Sequence, residues 1–441
     1  MSSCNPAVIE APARPIQSGW KQALSYFRGS KAHQRILSGG LIMLVSSTVV
    51  ALLNFAYNVQ VAQRLGPADF GHVATLVTLL LMASSLTLSF QIVCAKFVAR
   101  NQEAGAKAAV FRSLRRNAWI VGLALAGLLC AISVPVANYL NFPSVWMPLL
   151  LAIGIAFYIP LGVKRGTFQG TCAFPRLAGN FMLEAASKFL FALLLVTRFG
   201  AMGAVVAMTM SVIVAYWLPT VTDTFRRPSQ LHVAASPREG LQAVLFFVGQ
   251  VLILNADMIV VKHLFPPEQA GIYAAVALVG RVLFYASWSV IGAMFPVSAE
   301  AGRQSPQRSL LVVPTILVTG MFLSFVALVA LFPASIMKTI FGPGFQQSES
   351  LLVLYAAATA AYALSAMLMA YEISHKVANT GWLQIVAGIL VFTGIYLFHS
   401  SLRQVVLVLM TIMATLLIAV SVPFLRSVLR RDILPAGEAA A

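Results

Sequence analysis

Charge is what this sequence has least of. Only 10% of its 441 residues are Asp, Glu, Lys or Arg, against 59% hydrophobic. A soluble domain carries about a quarter charged residues, so this chain cannot cover itself with a solvated surface. Metal-ligand patterns are missing as well. There is no C-x-x-C or H-E-x-x-H, and the six histidines are scattered along the chain, so neither a metal site nor a cofactor is expected. Residues 1–35 lack the apolar core of a signal peptide.

What the chain has instead is apolar runs of the length an α-helix needs to cross a bilayer, with a mean hydropathy of +0.86. Twelve spans are predicted near 36–62, 70–95, 117–138, 146–168, 176–197, 200–220, 240–262, 270–298, 309–332, 346–371, 378–398 and 402–424. The net charge of +17 invites a nucleic-acid partner, but the positions of the charges argue against one. With the N-terminus inside, most Lys and Arg fall in inside segments, Lys164 and Arg165 among them. Outside segments hold only Arg64, Arg198, Lys262, Lys338 and Arg403. That bias is the signature of cytoplasmic loops. It predicts two cytoplasmic termini, with basic loops that touch anionic membrane lipids and no nucleic acid. Cys4, Cys94, Cys130 and Cys172 all avoid the outside, so no disulfide framework is implied. Trp20, Leu24 and Phe27 suit either an amphipathic helix on the inner leaflet or a lead-in to the first span.

The chain repeats itself. "QRLGPADFGHV" (63–73) and "KHLFPPEQAGIYA" (262–274) share Pro-x-x-x-Gly, and Pro67 and Gly71 precede Pro267 and Gly271 by 200 residues. Pro143 and Pro343 keep the same offset, and Pro135 and Pro333 nearly so. These landmarks divide the chain into a cytoplasmic segment 1–35, a six-helix bundle 36–220, a linker 221–239, a second bundle 240–424 and a cytoplasmic tail 425–441. Six is even, so the halves are parallel repeats about an axis along the membrane normal. The Pro-x-x-x-Gly segments become matching outer corners, with proline ending one helix and glycine permitting the turn into the next.

Several stretches resemble bacterial polysaccharide-biosynthesis flippases of the Wzx type, in the MOP superfamily that also contains MATE antiporters. They are "LGPADFG" after a span, "KRGTFQGTCAF" (164–174), and "LNADMIVVKHLFPPEQAGIYAAVALVGRVLFYASWSVIGAMFPVSAE" (254–300). "RFGAMGAV" and "IFGPGF" fit the same pattern. In that family Arg-Gly-x-x-Gln-Gly is a loop between spans four and five. The resemblance implies an all-α, V-shaped transporter of two six-helix bundles around a cavity that opens to each side in turn. It further implies movement of undecaprenyl-diphosphate-linked oligosaccharide across the bacterial cytoplasmic membrane. The polymerase and glycosyltransferases of the same pathway would be its partners.

Moving a diphosphate and a sugar past hydrocarbon needs cationic donors and amide or hydroxyl groups, and charges inside spans are the first candidates. Arg281 offers a planar fork to a diphosphate or an ion pair with Asp257. Tyr285 and Trp288 share its helical face and suit sugar stacking or plain packing. Glu184 and Lys188 are an i, i+4 pair: either they neutralise each other, or Lys188 takes the diphosphate and Glu184 carries a proton. Asp257 is a second candidate for ion coupling. Asn54, Tyr57, Asn58 and Asn255 suit sugar binding or helix bracing. Lys96 suits guidance of the diphosphate from the inner side. Arg64 and Lys262 are expected to snorkel to the interface. The competing function is a MATE-like exporter of cations or drugs, which calls for an acid-dominated cavity. A membrane enzyme is disfavoured, because the outside loops are short and carry no paired carboxylates.

Overall fold

The structure is a computed structural model that describes residues 31–101, 103–221, 241–287, 309–375 and 382–433. Among these, every regular element is helical. The segment around Trp20, Leu24 and Phe27, most of the 221–239 linker, Trp288 and the end of the chain lie outside the described residues.

Two helices run through the places where pairs of spans were expected to meet. Helix α1 (Lys31–Arg100) breaks at Gly66 (φ 74°, ψ 179°), and α5 (Phe174–Trp217) breaks at Gly200 (φ 55°, ψ −136°). Both glycines adopt a positive φ that a side chain would oppose. Pro67 then begins the second half of α1, where its missing N–H is harmless. Between them come α2 (Ala104–Ala131), α3 (Ser133–Tyr139) and α4 (Trp146–Gly170). The second half has α6 (Leu241–Leu264), α7 (Pro267–Gly280), α8 (Ser309–Leu331) and α9 (Pro333–Phe341). It ends with α10 (Glu349–His375), α11 (Leu383–Leu397) and α12 (Leu402–Ile433). Helices α8 and α9 meet at 87°, and a short 3-10 turn, Pro343–Ser348, follows α9. Helix α12 continues past residue 424, where its span was expected to stop. Among the described residues, eight helices are long and apolar enough to cross a membrane, α1 and α5 included. Leu123, Leu194, Leu390 and Ile418 lie exposed on α2, α5, α11 and α12, as lipid-facing surfaces require. The chain is a multi-pass membrane protein.

Helices α1, α2, α4 and α5 pack on one another, as do α6 with α11, α7 and α8 with α10, and α10 and α11 with α12. Only α1 bridges the groups extensively, through α6, α7 and α9.

The "KRGTFQG" stretch is not a loop: α4 stays helical through Gly170. Gly162, Gly166 and Gly170 form a stripe at four-residue spacing that seats on the backbone of Thr87, Gln91 and Ala95 in α1. A Cβ on Gly170 would fall 2.6 Å from the Ala95 carbonyl oxygen. Such small-residue stripes let membrane helices approach backbone to backbone. Gln91 Nε2 donates to Gln169 Oε1 at 3.0 Å beside the stripe.

The two Pro-x-x-x-Gly corners also differ from expectation. Gly66 makes the first turn, and Gly71 lies inside the helix that follows. Gly71 and Gly271 instead pack against each other across the two halves: a Cβ on Gly71 would sit 2.9 Å from the Gly271 nitrogen. Tyr139 stacks on His263 at 3.7 Å, and Asn141 Nδ2 donates to the His263 carbonyl at 3.3 Å. In the symmetry-related place Gln63 Nε2 donates to the Ile340 carbonyl at 2.7 Å, and Phe70 packs on Phe341 and Phe345. The corner end of the molecule is closed.

Candidate substrate-binding site

The first bundle carries a ladder of charged and amide groups. Arg165, buried on α4, donates from Nε to Asn180 Oδ1 at 2.7 Å, lies 4.0 Å from the Phe181 ring and pairs with Glu184 on α5. Glu184 therefore pairs directly with Arg165 and acts on Lys188, one turn further along the same helix, only at longer range. The Lys188 ammonium donates to Asn54 Oδ1 on α1 and lies 5.0 Å from the Tyr57 ring. The Tyr57 hydroxyl donates to the Ala204 carbonyl at 3.1 Å, and Asn58 Nδ2 to the Asn54 carbonyl at 2.8 Å. Lys188 and Asn54 are half-buried, and the Glu184 side chain retains 16% exposure.

Lys164 and Arg165, counted as inside-loop cations by sequence, are buried because α4 continues through them. The Lys164 ammonium donates to the carbonyls of Ala215 and Tyr216 at 3.0 and 2.7 Å, and Asn180 Nδ2 donates to those of Ala215 and Leu218. Carbonyls in the last turn of α5 have no helical partners, and positive charge is favoured there. The basic motif thus secures a helix end.

In the second bundle the polar groups close on themselves. Arg281 Nη2 donates to both Asp257 carboxylate oxygens at 2.8 Å, and Arg281 Nε to the Tyr355 hydroxyl at 2.7 Å. Tyr273 and Tyr355 hydroxyls each donate to Asp257 Oδ2 at 2.8 Å, and the Met258 N–H reaches Oδ1 at 2.8 Å. Arg281 is 8% exposed and Asp257 1%. Of the two readings open for Arg281, the structure draws the ion pair. Gly280 makes room for it, because a Cβ there would strike the Tyr355 ring. Tyr285 is exposed one turn beyond Arg281, and Asn255 is buried with its amide oxygen unpartnered. Lys96 is exposed at the far end of α1.

Lys262 does not snorkel. Its side chain is fully buried at the corner end, and its Nζ has no hydrogen-bond partner. Arg64 is exposed and donates to the Leu193 carbonyl at 3.0 Å.

With this geometry in hand, the sequence profile described as "Polysaccharide biosynthesis protein" matches residues 36–302, more than half of the chain. The chain belongs to this family. No curated protein matches it by sequence. Solved structures share the fold at low identity. An inward-facing multidrug resistance MATE family transporter of the MOP superfamily superposes with a TM-score of 0.74 at 16% identity, covering 91% of this chain and 100% of its own. An outward-facing member gives 0.59 at 17%, covering 90% and 95%. A MOP superfamily transporter from Pyrococcus furiosus, described as having a binding pocket of reversed polarity that suggests a different function, gives 0.62 at 16%, covering 92% and 97%. This member of the polysaccharide biosynthesis family therefore shares the fold of MATE transporters of the MOP superfamily.

Proposed function

We propose that this transporter flips a polyprenyl-diphosphate-linked oligosaccharide across the bacterial cytoplasmic membrane by alternating access. The observation that carries this reading is the sign of the buried charge. Among the described residues the buried charged side chains are Lys164, Arg165, Lys262 and Arg281 against one acid, Asp257. Half-buried Lys188 adds a further base with no carboxylate in contact. Arg165 and Arg281 are ion-paired and Lys164 is held by carbonyls, so Lys188 carries the positive charge available to a ligand, and such a charge attracts a diphosphate and repels an organic cation. Lys188 is the primary diphosphate donor, because its acceptor, the neutral Asn54 amide, is easily displaced by a phosphate oxygen. Asn54, Asn58 and Asn255 supply amides for the sugar, Tyr57 and Tyr285 rings for stacking, and Lys96 guidance from the cytoplasmic end. Glu184 and Asp257 are the carboxylates available for ion coupling. The closed corner end and the closer superposition on the inward-facing relative support a state open to the cytoplasm.

The test is reconstitution of the purified chain into liposomes carrying a lipid-linked diphosphate oligosaccharide on one leaflet. Glycan should become accessible from the opposite side, and Lys188→Met should abolish that movement. Efflux of an organic cation such as ethidium, without movement of the glycan lipid, would establish the MATE-like alternative.

A further inference from the structure

The seam at the corner end encloses two groups that its packing does not need. Lys262, in the last turn of α6, and His72, on α1 after the Gly66 break, approach from opposite halves and flank the Phe142 ring. The Lys262 ammonium and the His72 ring centroid each lie 6.0 Å from that ring. Lys262 is 0% and His72 6% exposed, and neither the ammonium nor His72 Nδ1 has a hydrogen-bond partner. The two are close enough to interact electrostatically. The Tyr139–Phe142 segment covers them: the His263 ring engages the Tyr139 carbonyl at 2.7 Å through Nδ1. The acids at the corners, Asp69 and Glu268, are exposed, and no ion pair to Lys262 occurs among the described residues.

The repeat supplies the control. Two hundred residues away, Lys262 corresponds to Ala62 and His72 to Ile272, both buried. Phe341 and Phe345 cover that side of the seam. The fold therefore closes one side of the seam with apolar groups and the neutral Gln63 amide, without a buried charge, and the cationic side serves something other than closure.

We infer that Lys262 and His72 form an exit station for a phosphate-type anion, occupied when the two bundles part at the corner end. The station rests on the function proposed above and names where the diphosphate sits before release. An unpartnered ammonium sealed in the seam disfavours the closed state. An anion that reaches it only after the seam opens binds one state and not the other, and that difference shifts the equilibrium toward opening. Substrate in transit would hold its own exit open, and its departure would let the seam close.

The experiment places spin labels at two exposed positions on opposite sides of the seam, Ala68→Cys and Gln269→Cys, in a full-length chain whose own cysteines are replaced. Interspin distances are read in phosphatidylcholine nanodiscs against inorganic pyrophosphate at constant ionic strength. Pyrophosphate should populate a longer distance, and Lys262→Met or His72→Leu should weaken its apparent affinity about tenfold. Opening by phosphatidylglycerol alone, lost in Lys262→Met, keeps the station and makes a lipid phosphate its occupant. Lys262→Met should melt no lower than the parent chain, since it removes an unpaired buried charge; a lower melting point means the ammonium has a partner and overturns the idea. So does an absent pyrophosphate response, or an equal one in Lys262→Met. Failure of glycan transport with an intact pyrophosphate response would sink the proposed cargo and not the station, and the reverse pattern would sink the station alone.

Discussion

The two bundles handle buried charge in opposite ways. In the second, Asp257 and Arg281 neutralise each other and two tyrosine hydroxyls complete the shell around the carboxylate. In the first, Arg165 takes Glu184, and Lys188 is left with an amide and a ring face. A closed network stabilises a bundle and has little left to offer a ligand. An ammonium held by a neutral acceptor offers nearly all of its charge. The comparison fits an architectural role for the second network and, on the function proposed above, leaves anion binding to the first.

Four substitutions would break or sharpen that contrast. The largest effect belongs to Asp257→Ala, which strands the Arg281 guanidinium in the core of the second bundle. A loss of about 3–5 kcal/mol is expected, visible as a collapse of thermal stability in detergent. Arg281→Ala strands the carboxylate in the same way, so lost transport in that variant reports folding as much as binding. Next comes Glu184→Gln, which keeps the hydrogen-bonding shape but removes the charge facing Arg165, at about 1–2 kcal/mol. Smallest is Lys188→Met, whose melting should fall by no more than about 1 kcal/mol, while glycan movement stops. If Lys188→Met unfolded the protein as readily as Asp257→Ala, the distinction between the networks would be lost.

Much of this was legible in the residues, for identifiable reasons. Hydropathy locates the spans because the bilayer imposes a length and excludes charge. The breaks at Gly66 and Gly200 fall where paired spans were expected to meet. The Asp257–Arg281 pair was visible as an alternative because two opposite charges inside neighbouring spans have few other places to go. Tyr273 and Tyr355 were not, since aromatic residues are common in membrane helices and only the three-dimensional crossing selects these two. Arg165 was mistaken for a loop cation because a positive charge near a span end ordinarily marks the cytoplasmic interface. A signal was present: Gly162, Gly166 and Gly170 recur every four residues, a helical spacing that continues through the supposed loop. The paired corners do turn, but the turn was credited to Gly71 and Gly271, because a glycine serving close packing looks the same in sequence as one serving a bend.

The Gly71–Gly271 contact has a mechanical consequence. Gly71 and Gly271 meet through backbone, while ring and amide contacts join the halves elsewhere in the same seam. Interdigitated side chains would have to change rotamer, or be pulled from their sockets, each time such a joint worked. At this contact two bare backbones can part and return with no side chain to rearrange, so it adds nothing to the barrier set by the ring contacts elsewhere in the seam. An alanine at either position would act as a wedge in the joint, leaving both bundles intact and the jaw unable to shut.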